Sequence, residues 1–321
     1  GLFLFLGLLN FVISFVSLSF GQLIGKYVDF LLDVMIQVMK ALSEFSVIIR
    51  FDRWEVICIC IGYLLLVYCL IYQRHFFKCL VFQLSLIVIV FVNISLRNII
   101  VAIDVGQGDA TLVINGRHAM LIDVGGINPQ FKYTVLPILN YYGINYIDVV
   151  VITHHDLDHI GGLSDLLKYV RIGDVFSPNR LLLKNHHVVN DQVQFSIGGG
   201  DCLLSSPRLF SYSENSNNQS LILLCEIHNS SFLITGDIDQ ATEIAAIRGN
   251  IIQKVDILKL GHHGSRHSNS PELFDVTQPR FVWNSSGKYN LFGHPHPSVL
   301  SMLNERLIPF KSTHTDGSIV I

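Results

Sequence analysis

Six residues constrain this chain more than any others. His154-x-Asp156-x-Asp158-His159 sets two imidazoles and two carboxylates at fixed offsets, directly after the apolar run Val149-Val150-Val151-Ile152. A short β-branched run closed by turn residues reads as a buried strand, here one that delivers polar side chains at its C-terminal end. Neutral imidazole and ionised carboxylate are donors that borderline and hard divalent cations prefer, and no cysteine lies nearby to compete. Gly161-Gly162 follows at once. The spacing predicts a metal site, and a fold that brings other strand ends to it.

Other segments repeat the design. Phe232-Leu233-Ile234-Thr235-Gly236-Asp237 is an apolar strand ending in Gly-Asp, and a carboxylate held there can bridge two cations. Asp256 to Leu260 delivers Gly261-His262-His263-Gly264-Ser265, and one of His262 and His263 is expected to be a ligand; the sequence does not choose between them. Leu121-Ile122-Asp123 ends in a carboxylate placed to orient a ligand by hydrogen bonding. Asn115-Gly116 is a hairpin signal between two strand-like runs, because it supplies the positive φ of a tight primed turn. Helices are expected at Tyr133 to Tyr142, Leu163 to Val170 and Pro297 to Arg306. His186 and His187 read as exposed histidines with no strand to deliver them, and Thr313 to Ile321 as a last turn and strand with Asp316-Gly317 as its hairpin signal.

The central cluster resembles the His-x-His-x-Asp-His signature of the metallo-β-lactamase superfamily, with Asp156 where that signature has its second His. The departure, the phrase Asp104-Val105-Gly106-Gln107-Gly108-Asp109-Ala110, the Asn-rich entry Asn217 to Leu224 and the closing Asn290 to Pro297 are similar to the ComEC family of competence proteins. Those proteins carry a hydrolase-like domain behind a membrane channel. The resemblance implies an α/β fold, an αββα metallo-β-lactamase-like sandwich over residues 99–321, preceded by transmembrane α-helices over 1–98.

It also implies a site. His154 and Asp156 would serve one divalent ion, Asp158, His159 and the late His a second, and Asp237 would bridge them, with Asp158 and Asp237 central to catalysis. Gln107, Asp109, Asp123, Asn218, Ser220, Ser265 and His294 would line the pocket or support it. Many enzymes of the superfamily have a further His near position 218; here none appears, which leaves that place to Asn218, Ser220, water or substrate. Carboxylate in place of imidazole at Asp156 favours harder ions, so the expected metals are manganese or zinc. The implied function is a metal-dependent phosphodiesterase acting on DNA during uptake in natural transformation, with DNA, the membrane and other competence proteins as partners. The alternatives are a non-catalytic DNA-binding or channel-stabilising module, and a metallo-hydrolase of another ester.

Composition supports a bipartite chain. Half of the 321 residues are hydrophobic, too many for an ordinary soluble protein, while all but His75 of the 14 histidines follow residue 98. Residues 1–20 carry no charge and are long enough to cross a bilayer; two more apolar spans run from about Trp54 to Tyr72 and from Cys79 to Leu96. Between them, residues 23 to 50 show a helical stripe with Val28, Leu31, Leu32 and Met35 on one side, as in an amphipathic helix. The short loop with Arg74 and Lys78 favours the cytoplasm, which puts the later domain on the extracytoplasmic side of the inner membrane. A net charge of −3 argues against a generally basic nucleic-acid coat. The scattered cysteines suggest neither a disulfide framework nor a CxxC metal site.

Overall fold

Three strands open the folded region: β1 (Asn98–Ala102), β2 (Thr111–Asn115) and β3 (His118–Ile122), the last two joined at Asn115-Gly116. The computed structural model describes residues 98–126, 130–209 and 215–321 continuously, with scattered helical positions between 22 and 85. After helices α1 (Gln130–Tyr133) and α2 (Val135–Tyr141) comes β4 (Tyr146–Val151), which feeds the central motif. The motif carries α3 (Leu157–Ile160), and α4 (Leu163–Tyr169) leads into β5 (Arg171–Ser177) and β6 (His186–Val188). Strands β7 (Gln192–Ile197), β8 (Gly200–Ser205), β9 (Ile222–Ile227) and β10 (Ser230–Ile234) then pair in succession. The remainder runs α5 (Gln240–Arg248), β11 (Ile257–Lys259), α6 (Pro271–Thr277), β12 (Phe281–Asn284), α7 (Pro297–Glu305), β13 (Phe310–Ser312), α8 (Thr313–Asp316) and β14 (Ile319–Val320).

Two seven-stranded sheets result, ordered β14-β1-β2-β3-β4-β5-β6 and β13-β12-β11-β10-β9-β8-β7. Read from β14 in the first and from β7 in the second, each has three antiparallel pairings followed by three parallel ones. Apolar side chains form three layers. Met120, Val151, Leu223, Phe232 and Trp283 fill the space between the sheets. Leu121, Phe131, Leu139, Val150 and Leu166 pack the first helices on the outer face of one sheet, and Leu233, Ala246, Leu258, Phe274 and Leu303 do the same for the other. This is the αββα sandwich. Strand β4 shows why its sequence is apolar without alternation: Val149 and Val151 face the other sheet while Val150 and Ile152 face helices, so both sides are dry.

The structure corrects three expectations. Cys202 and Cys225 form a disulfide, because antiparallel pairing of β8 and β9 sets them directly opposite each other with Cα atoms 4.1 Å apart. A separation of 23 residues hides such a register from the sequence. His186 and His187 do lie on a strand, β6, but it takes them to an edge, where His187 pairs with Asp174 at 2.8 Å and His186 with the Ser177 hydroxyl at 2.8 Å. The final strand is no hairpin partner of β13: α8 carries the chain across the sandwich, and β14 pairs with β1.

The chain divides after residue 48 into two compact units, 1–48 and 49–321. In the first, positions 22, 25, 26, 28–30, 32–34, 36 and 37 are helical, with Val28 and Leu32 half-buried and Lys26, Asp29 and Asp33 exposed. The expected span 1–20 lies outside the described residues. So do most of the other two spans, of which positions 61, 62, 64, 67, 68, 81, 82, 84 and 85 are helical. Among the described residues no helix is long and apolar enough to cross a membrane.

Candidate metal centre

The ends of β3, β4, β10, β11 and β12 meet at one rim of the sandwich. Thr153, directly after β4, is held by Asp123, whose carboxylate accepts its N–H at 2.8 Å and its hydroxyl at 2.7 Å. The same carboxylate lies 2.8 Å from His159 Nδ1. Asp123 has φ 57°, a left-handed conformation that few non-glycine residues hold without support. It fixes the ring of His159, so that Nε2 faces inward, 3.5 Å from Asp237 Oδ2.

The late histidines separate by geometry. Both are left-handed, with φ 49° at His262 and 54° at His263. Asn269 holds the turn: its side chain accepts the Gly261 N–H at 2.9 Å and donates to the carbonyls of Gly261 and Ser265. Buried Glu243 supports Asn269 in turn by accepting the N–H groups of Asn269 and Ser270 at 2.6 and 2.7 Å. His263 is buried, and its Nδ1 faces the Ser285 carbonyl at 3.0 Å. That leaves Nε2 3.2 Å from Asp158 Oδ2 and 3.6 Å from Asp237 Oδ2. His262 is half-buried, with Nε2 3.8 Å from Asp237 Oδ2, and its ring lies against His294.

Asp158, His159, Asp237 and His263 thus converge through Nε2 and carboxylate oxygens. Asp109, brought by the β1–β2 connection, also has an oxygen within 4.8 Å of ligand atoms of His159, Asp237 and His263. It lies, however, near the Nδ1 atoms of His159 and His263, at 3.9 and 3.8 Å, and those nitrogens already face Asp123 and Ser285. Its nearest charge is the ammonium of Lys259, 2.6 Å away and itself 2% exposed. We therefore group Asp109 with Lys259 behind the imidazoles. Gly108 permits this approach, since a Cβ there would meet the Asp158 carbonyl.

The residues expected to hold a second ion converge less well. His154 Nε2 lies 3.7 Å from Asp156 Oδ2, but the Asp156 side chain is 42% exposed. Asn218 is tied to Asp239, the N-cap of α5, by bonds of 2.8 and 2.9 Å. Ser220 accepts the Asp237 N–H at 3.0 Å, and Ser265 accepts the His267 N–H at 3.2 Å. Gln107 accepts the Gly287 N–H at 3.3 Å. None of these four replaces the missing imidazole.

Electrostatics fit a cation. Burial is the largest single influence and pushes His159 and His263 down, but Asp237 and Asp123 together at His159, and Asp237, Asp109 and Asp158 together at His263, more than offset it, and both stand above the ordinary imidazole range. Burial opposes ionisation of Asp237 and Asp158, yet the histidines hold Asp237 well below the carboxylate range and Asp158 at about 2. Burial and then His159 lower His154, so its imidazole is neutral. Burial, His263 and His262 lower His294 to about 4. Buried His154 Nε2, His159 Nε2 and Asp237 Oδ1 have no hydrogen-bond partner, as expected of atoms that await an ion. Sequence reasoning passed over Lys259, Asn269 and Glu243. A lysine between Leu258 and Leu260 was the available signal, because a lysine in a buried strand must be paired.

Comparison with known proteins agrees with this fold. The family model described as the metallo-beta-lactamase superfamily matches residues 103–279. ComE operon protein 3 of Bacillus subtilis is 30% identical over 68% of this chain and 32% of its own length. Recombination protein 2 of Haemophilus influenzae is 30% identical over 68% of this chain and 28% of its own, and Competence protein ComA of Neisseria gonorrhoeae 28% over 67% and 31%. All three are ComEC-family proteins, and the chain spans about a third of their length. Among solved structures, the diiron β-hydroxylase CmlA of Streptomyces venezuelae shares the fold with TM-score 0.50 at 14% identity, over 70% of this chain and 54% of that one.

Proposed function

The chain belongs to the metallo-beta-lactamase superfamily and is similar over its folded region to ComEC-family competence proteins, and on that basis we propose that it is a metal-dependent phosphodiesterase acting on DNA at a membrane. The observation that carries the reading is the convergence of Asp158, His159, Asp237 and His263, with unpartnered donor atoms and no nucleophilic serine or cysteine among them. When bound there, divalent ions supply Lewis acidity and a water of lowered pKa.

The protein supplies the rest. Asp158, His159, Asp237 and His263 would hold one ion tightly. His154 and Asp156, with Asp237 between, would hold a second more weakly, manganese suiting this carboxylate-rich set better than zinc. Neutral His294 at the rim can hydrogen-bond a phosphate oxygen. Lys259 offsets carboxylate charge from behind the site, so that an anionic phosphodiester can approach.

The disulfide between Cys202 and Cys225 favours an extracytoplasmic location, because such bonds persist in oxidising compartments. Ile61, Leu64, Val67, Val81, Phe82 and Leu84 are exposed apolar residues on helical positions, which supports contact of the first hundred residues with lipid. DNA uptake with other competence proteins is the process in which such a domain would act. The test is cleavage of single-stranded and duplex DNA with manganese, magnesium or zinc by the full chain in detergent. Metal-dependent cleavage lost in both Asp158→Ala and Asp237→Ala is expected; metal uptake without cleavage of either DNA would reduce the site to a binding module.

A further inference from the structure

The loop after β12 places apolar side chains where water should exclude them. Tyr289 is 86% exposed, Leu291 98% and Phe292 67%. This is not a slack loop. Asn290 donates its side-chain amide to the carbonyls of Gly287 and His294 at 2.8 and 2.7 Å, and its side-chain oxygen accepts the His294 N–H at 2.8 Å. The loop is also tied to the site at both ends: Gly287 N–H donates to Gln107 at 3.3 Å, and His296 N–H to the Gly264 carbonyl of the histidine turn at 2.9 Å.

From this lip a line of rings leads inward. Phe292 stacks on His294 with centroids 5.7 Å apart and planes at 25°. His294 meets His262 edge-on at 5.9 Å, and His262 Nε2 is 3.8 Å from Asp237 Oδ2. On the same loop the Lys288 ammonium lies over the Tyr289 ring, 5.7 Å from its centre. Exposed aromatic rings with a cation among them, one of them leading to the proposed phosphodiesterase centre, match a polymer that presents flat apolar faces and anionic links alternately.

We propose that residues 288–294 form a stacking platform for unpaired bases, with Phe292 and Tyr289 positioning a single-stranded nucleic acid so that its backbone reaches the metal centre. The inference rests on the phosphodiesterase reading and names the residues that select its substrate. Bases in a duplex hide their faces in the stack, whereas those of a single strand can leave it to stack on aromatic rings. Insertion into lipid is the other use of such a lip. It would not need the ring ladder to run to Asp237, and it would press the metal centre against the membrane.

The experiment uses the full chain in lipid nanodiscs, with Asp237→Asn to prevent cleavage, and measures binding of labelled oligonucleotides by anisotropy. A base-bearing single strand is expected to bind on the order of tenfold or more tighter than an abasic strand of equal charge. Phe292→Ala and Tyr289→Ala should each remove on the order of tenfold from the first and leave the second unchanged, with Phe292→Trp retaining the affinity. The indole of that last variant should be quenched by the oligonucleotide. Equal binding of base-bearing and abasic strands overturns the proposal, and so does quenching of the same indole by brominated lipid. Base-dependent binding by the lip together with no cleavage under any metal would sink the phosphodiesterase reading alone; cleavage indifferent to both alanine changes would sink the platform alone.

Discussion

Lys259 and Asp109 form a buried ion pair, and its energetics run opposite to those of a surface pair. Strand alternation turns Lys259 to the same face as Ile257, between the sheets, where its ammonium pairs with Asp109 and donates to the Leu260 carbonyl at 3.2 Å. Removing one partner strands the other charge in a dry site, at a cost of about 3–5 kcal/mol. Lys259→Met should therefore lower the free energy of unfolding, measured by chemical denaturation, by an amount in that range, and Lys259→Met with Asp109→Leu should recover much of it. A double variant as unstable as the single one would mean that Asp109 also serves the metal directly. A second residue-scale prediction concerns protons. A folded-state pKa raised above the unfolded value contributes stability that is present below about 6.5 and lost as pH rises through the folded value. His159 and His263 are raised, so the metal-free domain should become less stable as pH climbs above 6.5. An ion needs both rings neutral, so its affinity should move the other way and its binding should release protons, which calorimetry in buffers of different ionisation enthalpy would register. At this scale the ligand types and their strand ends were legible in the sequence, because an apolar run that stops at His or Asp has few other uses. The choice of His263 over His262 was not: it depends on two left-handed residues and on Asn269, seven residues from one histidine and six from the other.

Elements show the same division between local and distant causes. The apolar runs at β3, β4, β10 and β11 and the helix α7 were readable, whereas α6 went unread although its signal is local: Ser270 accepts the Leu273 N–H and Pro271 opens the helix in the usual way. What else escaped were relations between elements far apart in sequence: the edge strand β6, the crossing of α8, and the register that sets Cys202 against Cys225. That disulfide closes a loop of modest length, for which chain entropy predicts about 3 kcal/mol. Cys202→Ser with Cys225→Ser should cost about that much by chemical denaturation. The loss should leave metal affinity unchanged, because β8 contributes no residue to the centre.

At the scale of the whole molecule, each sheet repeats the other in its sequence of antiparallel and parallel pairings, and the centre takes His159 and Asp158 from one and Asp237 and His263 from the other. An ion held by all four is bound only when both sheets are formed and docked. Thermal unfolding should therefore shift upward with free metal, by the equivalent of about 2.7 kcal/mol at a hundredfold excess over the dissociation constant. Asp237→Asn should blunt that response. Left without metal, the Asp158 and Asp237 carboxylates lie against the His159 and His263 rings, and each pair of groups favours the charged form of the other. The domain is in this sense a gauge of its surroundings: in a cell, the amount of it that survives proteolysis would follow the supply of divalent metal before any question of catalysis arises.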